Sequence, residues 1–258
     1  VISTGARAAG PAVRARPRLA GLIVINILAI LLCGGLLALG TWQVHRRAWK
    51  LDLIARVEAN AHGDPVPAPG PGAWAALSER DAYRRVRLAG TWLDAPDTLV
   101  QAVTDLGGGF WVLTPLRTDA GFVVLVNRGF VPGDRRAATA RAGVAGTRAA
   151  LTGLLRLDEP GGAFLRTNDP GADTWYSRDV AAIARARGLT GAVAPYFVDA
   201  ERPPGRDPDG DLPVAGLTVI RFHNNHLIYA ITWFTLALMV AGGALYLDRD
   251  AWRRGRAG

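Results

Sequence analysis

The sequence predicts a membrane α+β protein, with two transmembrane helices bracketing a β-rich, antiparallel barrel-like extracytoplasmic domain. Three observations predict it. Residues 19–44 carry no charge, and residues 222–247 carry none beyond two histidines. The stretch between them changes from unbroken apolar runs to a two-residue apolar alternation. The arginines flanking the second run are concentrated on its far side, which orients the chain across a bilayer.

Each apolar run has an uninterrupted core, residues 19–39 and 227–247. As a helix, such a core is about 31 Å long at 1.5 Å per residue, against a hydrocarbon thickness of about 30 Å. The first run is longer than the apolar stretch of a cleaved leader, and "LALGTWQVHRR" offers no small-residue cleavage site. An uncleaved anchor is the expectation. The five predicted segments are a cytoplasmic tail (1–18), a first span (19–44), a β-rich periplasmic-side domain (45–221), a second span (222–247) and a cytoplasmic tail (248–258). Arg7, Arg14, Arg16 and Arg18 before the first span are balanced by Arg46, Arg47, Lys50 and Arg56 after it. The second span breaks the tie, because Arg249, Arg253, Arg254 and Arg256 outnumber Arg206 and Arg221, so both termini are expected in the cytoplasm.

Within the central region "YRRVRLAGTWL" alternates, setting Val86 and Leu88 on one face and Arg85 and Arg87 on the other. "DTLVQAV" continues the pattern, and "GGGFWVLTPLRT" and "FVVLVNRGFV" read as a hairpin over residues 109–131 turned by "DAG". "ALTGLLRL" and "APYFVDA" supply later strands. "AWKLDLIARVE" and "RDVAAIARARG" read as helices, the first lying just beyond the first span. "HGDPVPAPGPG" and "ERPPGRDPDGDLP" are loops rich in Pro and Gly, the second leading back to the membrane.

Composition excludes several function classes. The net charge of +8 is nearly all arginine, with Lys50 the single lysine. These cations are scattered among Asp and Glu and form no stripe with aromatics, so nucleic acid is not an expected partner. Cys33 is the only cysteine, which rules out an intrachain disulfide or a cysteine metal site. The central region has one histidine, His62, in a Pro/Gly loop, besides His45 at its border with the first span. It contains no H-x-x-x-H, nucleophile elbow, P-loop or dinucleotide fingerprint. An enzyme is not expected. Arg128, in "VNRGFVPGDRR", has two readings: a docking cation for a partner or a propionate, or strand-end geometry with an ion pair and Gly129 at positive φ. The second is favoured.

Three of the four histidines, His45, His223 and His226, cluster at one face of the membrane. On a helix His226, Tyr229, Ala230 and Trp233 share a stripe at offsets of three, four and seven. An imidazole beside aromatics and a small residue suits axial ligation of a haem iron, Ala230 leaving room for the macrocycle. Helix capping and interfacial polarity explain the same residues, Asn224 and Asn225 included, without a cofactor. Gly34, Gly35 and Ala38 in one span and Ala237, Ala241 and Ala244 in the other offer small-residue faces for helix packing.

"GTWQVHRRAWK", "VRLAGTWL", "FWVLTPL", "VLVNRGFVP", "LTGLLR", "TNDPGADTWYSRDVAAIA" and "NNHLIYAITWF" follow one another in this order over residues 40–247. In this the chain resembles the Surfeit locus protein 1 family, the cytochrome c oxidase assembly factors of bacteria and mitochondria. Phe130 stands where the family often has Trp after "NRG". The resemblance implies a protein of the bacterial cytoplasmic membrane that binds haem a and aids its insertion into subunit I of a haem–copper oxidase. Subunit I, haem a synthase and membrane lipids would be its partners. The family's motif histidine falls on His226 rather than His223. On that basis Tyr229 and Trp233 line the porphyrin, Trp42, Gln43 and Arg46 form the opposing wall, and Arg46 or Arg47 meets the propionates. The rival readings are a cofactor-free, membrane-anchored interaction module that stabilises assembly intermediates, an electron-transfer cytochrome and a periplasmic enzyme.

Overall fold

The structure, a computed structural model, describes residues 19–135, 144–163, 165–203, 205, 212–218 and 224–256. The predicted N-terminal tail, His223, Arg206 and Arg221 lie outside the described residues. The chain divides into two units, residues 1–52 with 223–258, and residues 53–222.

The first unit is a pair of long helices, and both are long and apolar enough to cross a membrane. Helix α1 runs Leu19–His62, which joins the predicted span and the helix after it into one element. Nothing in "TWQVHRRAWKLDL" breaks a helix, since it contains neither Gly nor Pro. His62 is therefore the last residue of a helix rather than a loop residue, and its exposed ring lies 3.1 Å from Glu58. Helix α3 runs His226–Arg256 and ends in arginines that complement its C-terminal dipole. The two helices pack antiparallel: contacts pair Gln43 with His226, Gly40 with Phe234, Cys33 with Ala237 and Asn26 with Asp248. Most other side chains on the pair are exposed and aliphatic, Ile30 and Leu238 for example, as lipid contact requires.

The packing face differs from the predicted one. Gly34 and Gly35 have no atom near a notional Cβ and Ala38 is exposed, so this side of α1 does not meet α3. Gly40 does, because a Cβ there would fall 2.6–2.8 Å from the Phe234 ring. Small residues at three-residue spacing identified a candidate face, but on α1 the seam follows Leu36, Gly40 and Gln43, where ring and amide partners exist.

The second unit is a closed five-stranded barrel. Its strands are β2 (Arg85–Trp92), β4 (Gly107–Thr118), β5 (Val123–Pro132), β6 (Arg148–Leu157) and β9 (Val193–Ala200). The order β2-β6-β9-β5-β4 is closed by pairing of Trp92 with Leu116 and Gly90 with Thr118. Every barrel pair is antiparallel except β5 with β9. Short β1 (Val66–Pro67) lies parallel to β2, and β3 (Thr98–Thr104) extends the sheet beyond β4. A separate two-stranded ribbon joins β7 (Gly162–Ala163) to β8 (Arg166–Thr167).

The alternation read from "YRRVRLAGTWL" places Val86 and Leu88 in the barrel interior, with Val124, Val126, Tyr196 and Val198 from neighbouring strands. The opposite face of β5 and β9 is buried too. Leu125 and Phe197 pack with Trp175 and Ile183, the latter on helix α2 (Val180–Ala186). Burial on both faces explains the unbroken "FVVLV" run, and each such side chain contributes about 1.5–3 kcal/mol.

Candidate functional site

Among the six residues predicted to surround a cofactor, the structure joins His226 and Gln43 directly. His226 is the first residue of α3, and its Nδ1 lies 2.7 Å from Oε1 of Gln43 on α1. An amide oxygen only accepts, so Nδ1 carries the proton and donates it. In the neutral ring so held, Nε2 is the nitrogen that carries the lone pair. One helix thus fixes the tautomer of a histidine on the other, the arrangement that orients an imidazole for a metal.

The other four candidates differ in exposure. Trp233 is half-buried, and its buried indole N–H has no hydrogen-bond partner among the described residues. Asn224 has a buried side-chain oxygen in the same condition. Tyr229 and Trp42 are 53% and 56% exposed. Arg46 is exposed and stacks over Trp49 at 4.0 Å. Ala230 is 2% exposed, so its small size serves the approach of the helices rather than leaving space. Asn26 donates to Asp248 at 2.8 Å, toward the opposite end of the seam from His226.

These features would suit a haem held through its iron: an imidazole oriented through Nδ1, an indole donor without a partner among the described residues on the same helical stripe, and large aromatic faces left uncovered. Among the described residues no group of three His, Cys, Asp or Glu is arranged to hold a bare metal ion.

The barrel unit carries a second polar constellation, which the sequence reading missed. Asp199 on β9, 3% exposed, accepts from Asn127 at 2.8 Å, Arg156 at 2.7 Å and Thr218 at 3.0 Å. Arg178 stands 3.6 Å away while holding Glu159 with two hydrogen bonds. Asn127 also accepts from the backbone N–H of Gly129. Gly129 has φ +136°, and Val214 packs so close that a Cβ would fall 2.4 Å from its carbonyl. "VNRG" is therefore not a strand end: β5 continues to Pro132, and Asn127 ties it to β9. The signal was present as one polar residue in each of two apolar strands, "VVLVN" and "YFVD". Arg128, 15% exposed, lies 3.9 Å from Asp97.

The model of the SURF1 family matches residues 30–238, which include most of α1, the start of α3 and the whole barrel. The chain belongs to the SURF1 family. It is 37% identical to Surfeit locus protein 1 of Homo sapiens over 217 residues, covering 77% of this chain and 69% of that protein. It is 33% identical to Surfeit locus protein 1 of Xenopus tropicalis, over 83% of this chain and 72% of that one. A SURF1-like protein of Monosiga brevicollis is 36% identical, over 84% of each chain. For this SURF1-family protein the matched region includes His226, Gln43 and the Asn127–Asp199 tie.

Proposed function

We propose that this SURF1-family protein assists cytochrome c oxidase biogenesis by holding haem a on His226 and aiding its insertion into subunit I. Family membership supports the role in oxidase assembly. The hydrogen bond from His226 to Gln43 carries the haem assignment, because it leaves Nε2 as a ligand nitrogen of fixed direction. Haem bound there would supply an iron centre with one open bond for imidazole.

The residues of this chain do the rest. Gln43 accepts from Nδ1–H, which leaves Nε2 to face the iron. Tyr229 and Trp42 offer uncovered aromatic faces to a macrocycle. Trp233 offers an N–H donor, and Arg46 or Arg47 offers charge to propionates. A single protein ligand suits a carrier that must release its cargo to subunit I after receiving it from haem a synthase. On this reading the protein is an assembly factor rather than an enzyme. It resides in the bacterial cytoplasmic membrane with both termini in the cytoplasm, as the arginine flank of α3 supports.

The test is an absorption spectrum of protein purified from cells that make haem a, for the wild type and for His226→Ala. Wild type should carry pigment and the variant should lose most of it, with the barrel's melting transition unchanged. Equal pigment in both would remove His226 as ligand. No pigment in either would favour the cofactor-free interaction module. Orientation is tested with Val103→Cys in a Cys33→Ser background, since Val103 is 88% exposed: labelling from the periplasmic side is expected, and labelling from the cytoplasm would reverse the topology.

A further inference from the structure

Val86 and Leu88 of β2 point into the barrel, so Arg85, Arg87 and Ala89 face outward. On β6 the partners of Arg87 and Ala89 are Thr152 and Ala150. The Ala89–Ala150 pair makes a low floor on the outside of the barrel, and chain rises on either side of it. Beyond β2 stand Pro67 and Ala68 with residues 118–120 of the β4–β5 turn; beyond β6 stand residues 201–203, which follow β9. The Glu201 N–H donates to the Thr152 carbonyl, which holds this second wall along β6. The result is a trough of about 830 Å³.

Charge narrows what can lie in it. Both acids of the lining are already met. Glu201 accepts two hydrogen bonds from Arg85, at 2.7 and 2.8 Å, and Asp119 accepts two from Arg148, at 3.0 and 2.9 Å. Two arginines of the lining are not. Arg202 is exposed and has neither a side-chain hydrogen bond nor an ion pair among the described residues. Arg87 is exposed too; it donates from Nη1 to the Pro65 carbonyl and meets no carboxylate among the described residues. The trough therefore offers two guanidinium forks beside a floor of small apolar side chains. Such forks match carboxylates in shape and charge, and alanines let a peptide backbone lie close. At about 30 Å³ per non-hydrogen atom, the share of a liquid water, the volume admits about 28 such atoms, or about three or four residues of peptide.

We propose that this trough is a docking surface for an acidic, extended peptide segment of a partner protein, with Arg87 and Arg202 as its anchors. This goes beyond the haem reading and is independent of His226. The probe is a fluorescein-labelled hexapeptide of alternating Glu and Ala, read by fluorescence anisotropy against the full chain in zwitterionic lipid nanodiscs, with empty nanodiscs as the blank. Saturable binding of one peptide per chain is expected, weakened by added salt and absent for the hexapeptide of alternating Gln and Ala. Arg87→Gln and Arg202→Gln should each weaken it about threefold and the double variant about tenfold, with the barrel's melting transition unchanged because both side chains are exposed. Ala150→Trp, which fills the floor and leaves both arginines in place, should weaken it about tenfold. The double variant Arg87→Glu with Arg202→Glu should prefer a hexapeptide of alternating Lys and Ala. His226→Ala should bind as wild type does. Anisotropy no greater than that of empty nanodiscs, or binding unchanged in Ala150→Trp or in the double Gln variant, would overturn the proposal. So would displacement of the peptide by an equal concentration of glycerol 1-phosphate, which would assign the trough to a phosphate headgroup.

Discussion

In the barrel, Asp199 is met by Asn127, Arg156, Arg178 and Thr218, contributed by β5, β6 and two loops. In the helix pair, His226 meets Gln43 through one ring nitrogen, with no second partner among the described residues. Both are polar groups placed where solvation is poor, and burial of either without partners costs several kcal/mol. The barrel answers that cost fully, using the carboxylate to fasten strands that an apolar core alone would allow to slip in register. The helix pair answers it in part, enough to fix a tautomer, and leaves one nitrogen and one indole N–H over. A network that uses all its capacity is structure. A contact that orients a group while leaving capacity unspent is where the haem site is proposed.

Substitutions at these positions sharpen the contrast. Asp199→Ala should have the largest effect, because it removes the buried carboxylate that accepts from Asn127, Arg156 and Thr218 and leaves Glu159 as the one acid beside two arginines; about 3–5 kcal/mol should be lost in chemical denaturation of the barrel. A loss under about 1 kcal/mol would mean that the network is peripheral to the fold. Gly40→Val should cost about 1–3 kcal/mol through overlap with the Phe234 ring. Pulsed electron resonance between spin labels at positions 30 and 245 should show a broadened distance distribution, while an unchanged one would place the seam elsewhere. Gln43→Leu removes one neutral hydrogen bond and should cost about 1 kcal/mol of helix-pair stability. Its diagnostic readout is the imidazole ¹⁵N spectrum of His226, expected to change from the Nδ1-protonated tautomer to a mixture. A spectrum unchanged from wild type would end Gln43's role.

Asp158→Asn should show the smallest effect. Burial raises the Asp158 carboxyl above its ordinary value, although it accepts from the Val180 N–H at 2.7 Å. A raised folded-state value means that the protonated form is favoured by folding. The stabilisation is full below the unfolded value and is lost as pH rises through the folded one. The variant should therefore flatten the dependence of the denaturation midpoint on pH in the acid range, and an unaltered slope would assign that dependence to another group.

Much of this molecule was legible from its residues. Two charge-free runs of helical period required two long apolar helices, because few other structures satisfy backbone polar groups over that length in lipid. Alternation in "YRRVRLAGTWL" fixed which side of β2 faces the core, since side chains of a strand point to opposite faces in turn. The stripe of His226, Tyr229, Ala230 and Trp233 followed from helical geometry alone. Less legible was the division of labour within that stripe, as Ala230 belongs to the seam while Tyr229 faces outward. Helical spacing says which residues share a face, not which face meets a neighbour.

Local chemistry determined the elements, their order and the identity of the polar residues inside apolar stretches. Tertiary structure alone decided the partners. It set Gln43 opposite His226, 183 residues away in the chain, and Asn127 opposite Asp199, 72 residues away. It closed the barrel through β2 and β4, and it set Arg128 beside Asp97. Periodicity reports the environment of one strand or helix at a time, whereas hydrogen bonds across such distances depend on register and crossing geometry, which are properties of the packed whole.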